Sequence, residues 1–185
     1  GPRAVLLGTL GRLVPVKNHL RMIAAFAGLV REMPQADLHL LIGGTGPLEA
    51  DLREEIAARD LAARVHLLGL VEDLPAFYAD LDLALLSSDN EGTPVTLLEA
   101  MAAGRFAVAP AVGGIPDVIG PRTGRLVEPN EPADYTRALA EVLSAPSLPR
   151  LDDADRRAVV QRFSPDRLID DLDRLYRRLL QAKGA

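Results

Sequence analysis

The stretch from Asn90 to Gly104, NEGTPVTLLEAMAAG, sets two carboxylates, Glu91 and Glu99, eight positions apart across what reads as a loop running into a helix. DLALLSS, just before it, is a short apolar run closed by small polar residues, the pattern of a buried strand. Pro94 suits the first helical position, where a missing N–H leaves no bond unmade, and Thr93 before it suits the N-cap. The free amides of Val95, Thr96 and Leu97 then point back towards the loop and make an anion site from backbone alone. Glu91 stands in front of that site, and Glu99 lies one to two turns into the helix. Two carboxylates flanking an anion site suit a ligand with phosphate in the middle and hydroxyl groups at both ends, as in a nucleotide sugar.

A pair of cations sits in a second loop, GTLGRLVPVKNHL, where Arg12 and Lys17 flank a proline-containing turn at a predicted strand end. Arginine offers a planar fork and lysine a compact point charge, a combination suited to the oxygens of a diphosphate. Of the 21 basic residues only Lys17 and Lys183 are lysines, so a lysine here departs from the chain's habit. Other chemistry-bearing residues point to less. Asp80-Leu81-Asp82 has the form of a metal-binding D-x-D, but it precedes the apolar run instead of following it, and a solvated helix end is the expectation. His19, His39 and His66 are scattered, two of them inside predicted strands, and lack metal-ligand spacing; His19 is near enough in sequence to approach the Arg12–Lys17 loop, but a surface place is expected. No metal site is predicted. GGTGPLE fails as a dinucleotide fingerprint: counted from Gly44, the third glycine position is Glu49, and the loop follows the second strand, not the first.

With Gly92, Pro94, Ala100, Met101, Ala102 and Gly104 in register around the two carboxylates, the segment resembles the donor-binding signature E-G-x-P-x-x-x-x-E-A-M-A-x-G of retaining nucleotide-sugar glycosyltransferases with the GT-B architecture, family-four type. The resemblance implies that Glu91 lies at the transferred sugar and Glu99 binds ribose hydroxyls. Gly11, Arg12, Leu13 and Lys17 match the same family's G-R-L-x-x-x-K, whose Arg and Lys lie on the donor diphosphate. Gly44 falls in its G-x-G-P, where either close approach to the nucleotide or a tight turn explains the glycine. Val71 and Asp73 resemble its nucleobase rim, and Gly113 and Gly114 its V-G-G loop beside sugar and phosphates. Asp117 stands where that family more often has Glu, and Phe106 where it usually has Pro, a position of packing.

Alternating strand-like and helix-like stretches must position these residues. Strands are predicted at Val5–Gly8, Leu38–Ile42, Val65–Leu68, Leu83–Leu86, Phe106–Ala109 and Gly124–Val127. Helices are predicted at about Asn18–Met33, Leu48–Arg59, Pro75–Tyr78, from Pro94, and at Pro132–Ser144, Asp153–Arg162 and Pro165–Gln181. The strands are near-continuous apolar runs, as expected when helices cover both faces of a parallel sheet. The fold class is therefore α/β: a Rossmann-like, doubly wound, six-stranded parallel sheet with ligands beyond the carboxyl ends of its strands. Leu172, Leu175, Tyr176 and Leu179 form one apolar face of the last helix, for which ordinary packing is expected; the resemblance to GT-B enzymes, whose last helices lie near the partner domain, offers an interface for part of that face as the alternative.

The 185 residues suit one domain with a real core, 48% hydrophobic and without cysteine, which removes disulfides and thiolate metal sites. A net charge of −5 argues against broad nucleic-acid binding. No apolar run reaches transmembrane length and no signal-peptide pattern opens the chain, so a cytoplasmic location is expected. GT-B enzymes pair two Rossmann-like domains, and residues 1–185 resemble the second as a single unit, with the N-terminal acceptor-binding domain absent. The resemblance implies a UDP- or GDP-sugar donor, no further cofactor, hexosyl transfer to a glycan, lipid or small molecule, and no transfer by this unit alone. It leaves room for peripheral membrane association of the full enzyme. Two rivals stand beside it: a non-catalytic nucleotide-binding or scaffolding module, and a GT-B nucleotide-sugar epimerase. Glu91 favours the transferase over the module, because a nucleotide binder needs nothing at the sugar.

Overall fold

The computed structural model describes residues 4–183. Six strands, β1 (Val5–Leu10), β2 (Leu38–Gly43), β3 (Val65–Gly69), β4 (Leu83–Leu85), β5 (Phe106–Pro110) and β6 (Gly124–Val127), form one sheet in the order β3-β2-β1-β4-β5-β6. Every pairing is parallel, and Leu7 of β1 is flanked by Leu40 of β2 and Leu83 of β4. The helices are α1 (His19–Glu32), α2 (Glu49–Ala58), α3 (Leu74–Asp80), α4 (Val95–Ala102), α5 (Ile115–Val118), α6 (Pro132–Leu143), α7 (Asp153–Phe163) and α8 (Pro165–Ala182). The chain winds outward from β1 to β3, then returns to lay β4 against the other side of β1. That reversal opens a crevice beyond the carboxyl ends of β1 and β4, where doubly wound sheets take their ligands.

Alternation along β2 sends Leu38, Leu40 and Ile42 into the larger core, where α1 adds Met22, Ile23, Phe26 and Leu29. A smaller cluster of Leu10, Phe77, Tyr78, Leu81, Ala84 and Ala100 holds α3 and α4 against the sheet. Close packing of α1 on α6 depends on Gly28, since a Cβ there would lie 2.5 Å from Thr136 Oγ1, and that hydroxyl donates to Ala25 O at 2.9 Å.

Four expectations are corrected. Asp82 is not solvated: it is 2% exposed, accepts from Leu6 N at 3.0 Å and pairs with Arg150 at 3.0 Å, tying the start of β4 to a distant loop. His19 is buried instead of lying at the surface, because it shares the inner stripe of α1 with Met22, Ile23 and Phe26. His39 and His66 are not scattered: β2 and β3 bring them into a stack with Nδ1 and Nε2 3.1 Å apart, and Asp37 stands 3.1 Å from the far side of His39. The apolar face of α8 is not packed, and Leu172, Leu175, Tyr176 and Leu179 are all exposed. The short helix α5 was not visible in the sequence. Among the described residues, no helix is long and apolar enough to cross a membrane.

Candidate functional site

Two loops build the centre of the crevice. After β1 the chain runs through Gly11–Val14 into a tight turn at Pro15–Lys17, then Asn18 takes a left-handed conformation (φ 45°) and caps α1 by accepting from Arg21 N. After β4 it runs through Leu86–Pro94 into α4. The loops are stitched together: Asp89 N donates to Val16 O at 2.8 Å and Ser87 Oγ to Lys17 O at 3.0 Å. Arg21 adds an ion pair to Asp89 at 2.7 Å and a bond to Ser87 O at 2.9 Å. From behind, Tyr135 of α6 donates to Leu86 O at 2.7 Å and Asn130 to Ser88 O at 3.2 Å.

This bracing aims Lys17 and Glu91 at each other. Lys17 Nζ meets Glu91 Oε1 at 2.5 Å, and Ser88 Oγ donates to the same oxygen at 2.6 Å. Among the described residues, Glu91 Oε2 has no hydrogen-bond partner, so it remains available to a ligand hydroxyl. Arg12 is exposed, and its side chain contacts no acceptor among the described residues.

The helix start differs slightly from expectation. Pro94, not Thr93, occupies the N-cap, and no side chain caps α4. Leu97 N donates back to Pro94 O at 3.0 Å, so the outward amides are those of Val95 and Thr96. Thr93, Val95 and Glu99 share the wall of a cleft of about 630 Å³ between α4 and the α7–α8 corner. Glu99 is joined to Tyr78 of α3, whose hydroxyl donates to Oε2 at 2.8 Å.

The glycines serve loop-to-loop contact. A Cβ on Gly113 (φ 52°) would lie 1.9 Å from Glu91 O, and one on Gly114 would lie 2.3 Å from Gly92 O. Gly114 N donates to Glu91 O at 2.9 Å, so the turn before α5 fixes the backbone that carries Glu91. Gly44 (φ 135°) likewise has no room for a Cβ, which would come within 1.9 Å of Gly11 O. Gly44, Gly113 and Gly114 therefore all stand in close approach to neighbouring backbone. Val71 lies over the end of β2, near where a Cβ on Gly43 would stand, while Asp73 is spent as the N-cap of α3, accepting from Ala76 N at 3.0 Å. Asp117 is exposed in α5, and Phe106 is core.

Two contributors escaped the sequence reading: Ser88 and Tyr78 each hold one of the two carboxylates. His19 does approach the cationic loop, but from beneath it, buried and with both ring nitrogens unpartnered. Burial chiefly, with the nearby charge of Lys17 adding, lowers the His19 pKa to about 4, partly offset by the backbone of Arg12. Its ring is therefore neutral at neutral pH. No cluster of three or more His, Cys, Asp or Glu among the described residues is arranged to hold a metal ion.

Known proteins share this construction. The profile of the family described as glycosyl transferases group 1 matches residues 4–145. The chain is 32% identical over 190 residues to a D-inositol 3-phosphate glycosyltransferase of Saccharomonospora viridis, covering 97% of this chain and 44% of that protein. It thus spans less than half the length of that curated relative. HepE of Anabaena, solved in complex with UDP and glucose, superposes with a TM-score of 0.80 at 21% identity, over 92% of this chain and 48% of that one. The C-terminal domain of LpcC, a glycosyl transferase group 1 family protein from Francisella tularensis, superposes with a TM-score of 0.74 at 22% identity, over 86% of this chain and 85% of that one.

Proposed function

The chain belongs to the glycosyl transferases group 1 family, and from that premise we propose that it is the unit that binds the nucleotide-sugar donor of a retaining, metal-independent glycosyltransferase. The Lys17–Glu91 pair at the reversal of strand order carries this reading. It sets a cation and a carboxylate side by side at the place where a doubly wound sheet receives its ligand. Lys17, Arg12 and the amides of Val95 and Thr96 would meet the diphosphate, Glu91 Oε2 a sugar hydroxyl, and Glu99 the ribose. UDP is the favoured nucleotide, because the HepE structure holds it on the same fold.

In the reaction proposed, an acceptor oxygen bonds to the anomeric carbon on the face from which the diphosphate departs. The carbon–oxygen bond to the diphosphate breaks, and the acceptor's proton passes to the leaving phosphate oxygen. Negative charge grows on that diphosphate, and fixed donors aimed at it lower the barrier. The acceptor would be held by a second Rossmann-like unit of the full enzyme, whose closure excludes water and sets the acceptor in line. A thermal-shift panel of UDP, GDP and their glucose-bearing forms tests the donor assignment, since a ligand that binds only the folded state raises its melting temperature. Stabilisation by one nucleoside diphosphate, and by its sugar, is expected. No shift with any of the four at millimolar concentration would remove the reading.

A further inference from the structure

We propose that Tyr78 is the positioning residue for Glu99 and thereby sets recognition of the ribose; the inference rests on the donor-binding reading above. Tyr78 projects from α3 into the smaller apolar cluster and is 4% exposed, with its ring edge-on to Phe77 at 5.5 Å. Its hydroxyl reaches Glu99 Oε2 at 2.8 Å on the neighbouring helix α4. Burial first, and then the Glu99 hydrogen bond, push loss of the phenol proton far upward, so the group stays a donor. A phenol locked by its ring and carrying a permanent proton is a rigid strut.

The strut has two consequences for Glu99. One carboxylate oxygen is committed to the protein, and among the described residues Oε1 has no partner and is left to accept from a ligand. The long, flexible glutamate is also fixed before the ligand arrives, so its rotamer freedom is not lost on binding. Without the hydroxyl, Glu99 would still be present and charged but would no longer be held to one direction. Glu91 is treated in parallel by Ser88 and Lys17, which both occupy its Oε1.

The test compares UDP with 2′,3′-dideoxy-UDP by calorimetry on the parent, Tyr78→Phe and Glu99→Ala. The parent should prefer UDP, and Glu99→Ala should abolish that preference. Tyr78→Phe should shrink it by about three- to tenfold, the worth of one hydrogen bond. The preference is a ratio within one variant, so a general loss of stability leaves it unmoved, whereas loss of carboxylate aim does not. An unchanged ratio in Tyr78→Phe, beside a collapsed ratio in Glu99→Ala, overturns the role of Tyr78 and leaves the ribose assignment standing. A parent indifferent to the ribose hydroxyls, or a Glu99→Ala variant that keeps the preference, overturns the assignment of Glu99 and the strut with it.

Discussion

Lys17→Ala is the sharpest test of the proposed diphosphate site, because the structure fixes both what the ammonium touches and what its loss leaves behind. In the free protein Lys17 and Glu91 form a 2.5 Å pair whose side chains are 22% and 12% exposed. Half-buried pairs near the surface contribute about 1 kcal/mol or less to folding, so the melting temperature should fall by no more than about 2–4 °C. Binding should suffer far more. A hydrogen bond to a charged group is worth about 1.5–3 kcal/mol, which corresponds to a roughly 10- to 150-fold weaker Kd for UDP. Part of that loss comes from Glu91, now an unpaired carboxylate facing a polyanion. Adding Glu91→Ala to Lys17→Ala should therefore recover some affinity. Glu91→Ala alone should bind UDP at least as tightly as the parent, because it frees the ammonium from its competitor, while binding a UDP-sugar less well relative to UDP. Isothermal calorimetry on the four proteins, with UDP and UDP-glucose, gives the full cycle. A parent-like Kd for Lys17→Ala would refute the diphosphate assignment. A double variant no tighter than Lys17→Ala would refute the competition between carboxylate and ligand.

The remaining expectations follow from three other places in the fold. His19 is neutral when folded, with a pKa lowered to about 4, and is protonated below about 6.5 when unfolded; the unfolded state thus binds the extra proton, and stability present above pH 6.5 is lost as pH falls towards 4, by roughly 2–3 kcal/mol at pH 4.5. His19→Gln should flatten that part of the profile in urea denaturation at pH 7 and 4.5, and parallel losses in parent and variant would refute it. Gly113→Ala forces a left-handed residue (φ 52°) and a Cβ 1.9 Å from Glu91 O, so UDP-sugar affinity should drop more than about tenfold, beyond the roughly 1–2 kcal/mol of strain alone. Gly69→Ala, at φ 67° with nothing within 4 Å, is the control for strain without a clash, and equal binding losses in both would sink the argument. Chelation by EDTA should leave UDP affinity unchanged, and Asp82→Ala should lower stability by about 1–3 kcal/mol without changing that affinity, because Asp82 is 2% exposed and already engaged by Leu6 N and Arg150; binding that collapses in EDTA and returns with magnesium or manganese would count against the metal-independent reading.

The strands were legible because a parallel strand buried on both faces is written as an unbroken apolar run, and each of the six lies within two residues of its expected bounds. The Glu91–Gly104 segment was legible because its strand end, proline and helix are contiguous in the chain. What escaped is what lies across the chain. Tyr78 meets Glu99 from the preceding helix, Arg150 reaches Asp82 over 68 positions, and no local pattern marks either contact. The burial of His19 did leave a trace: His19, Met22, Ile23 and Phe26 fall at i, i+3, i+4 and i+7, the inner stripe of α1. Its place directly after the charged and polar Lys17 and Asn18 masked that period. The glycines were visible, but that Gly44, Gly113 and Gly114 pack backbone on backbone was not, because Gly11, Glu91 and Gly92 meet them from other loops.

Those glycine contacts bear on how the two cations divide their work. Asp89 and Ser87 bond the backbone of the turn that carries Lys17, and Gly114 bonds that of Glu91, so the pair is aimed before any ligand arrives. Arg12 projects from the same loop but is exposed and contacts no acceptor among the described residues. A guanidinium recruited from solvent gives up about 2 kcal/mol of rotamer freedom when it is fixed, a cost of the same order as the charged hydrogen bond it would form. Lys17, already held, gives up little and exchanges one anionic partner for another. In the donor-binding reading, Lys17 therefore contributes mainly to ground-state affinity, whereas Arg12 gains as charge accumulates on the departing diphosphate. An interaction that strengthens only as the bond breaks is the kind that accelerates transfer.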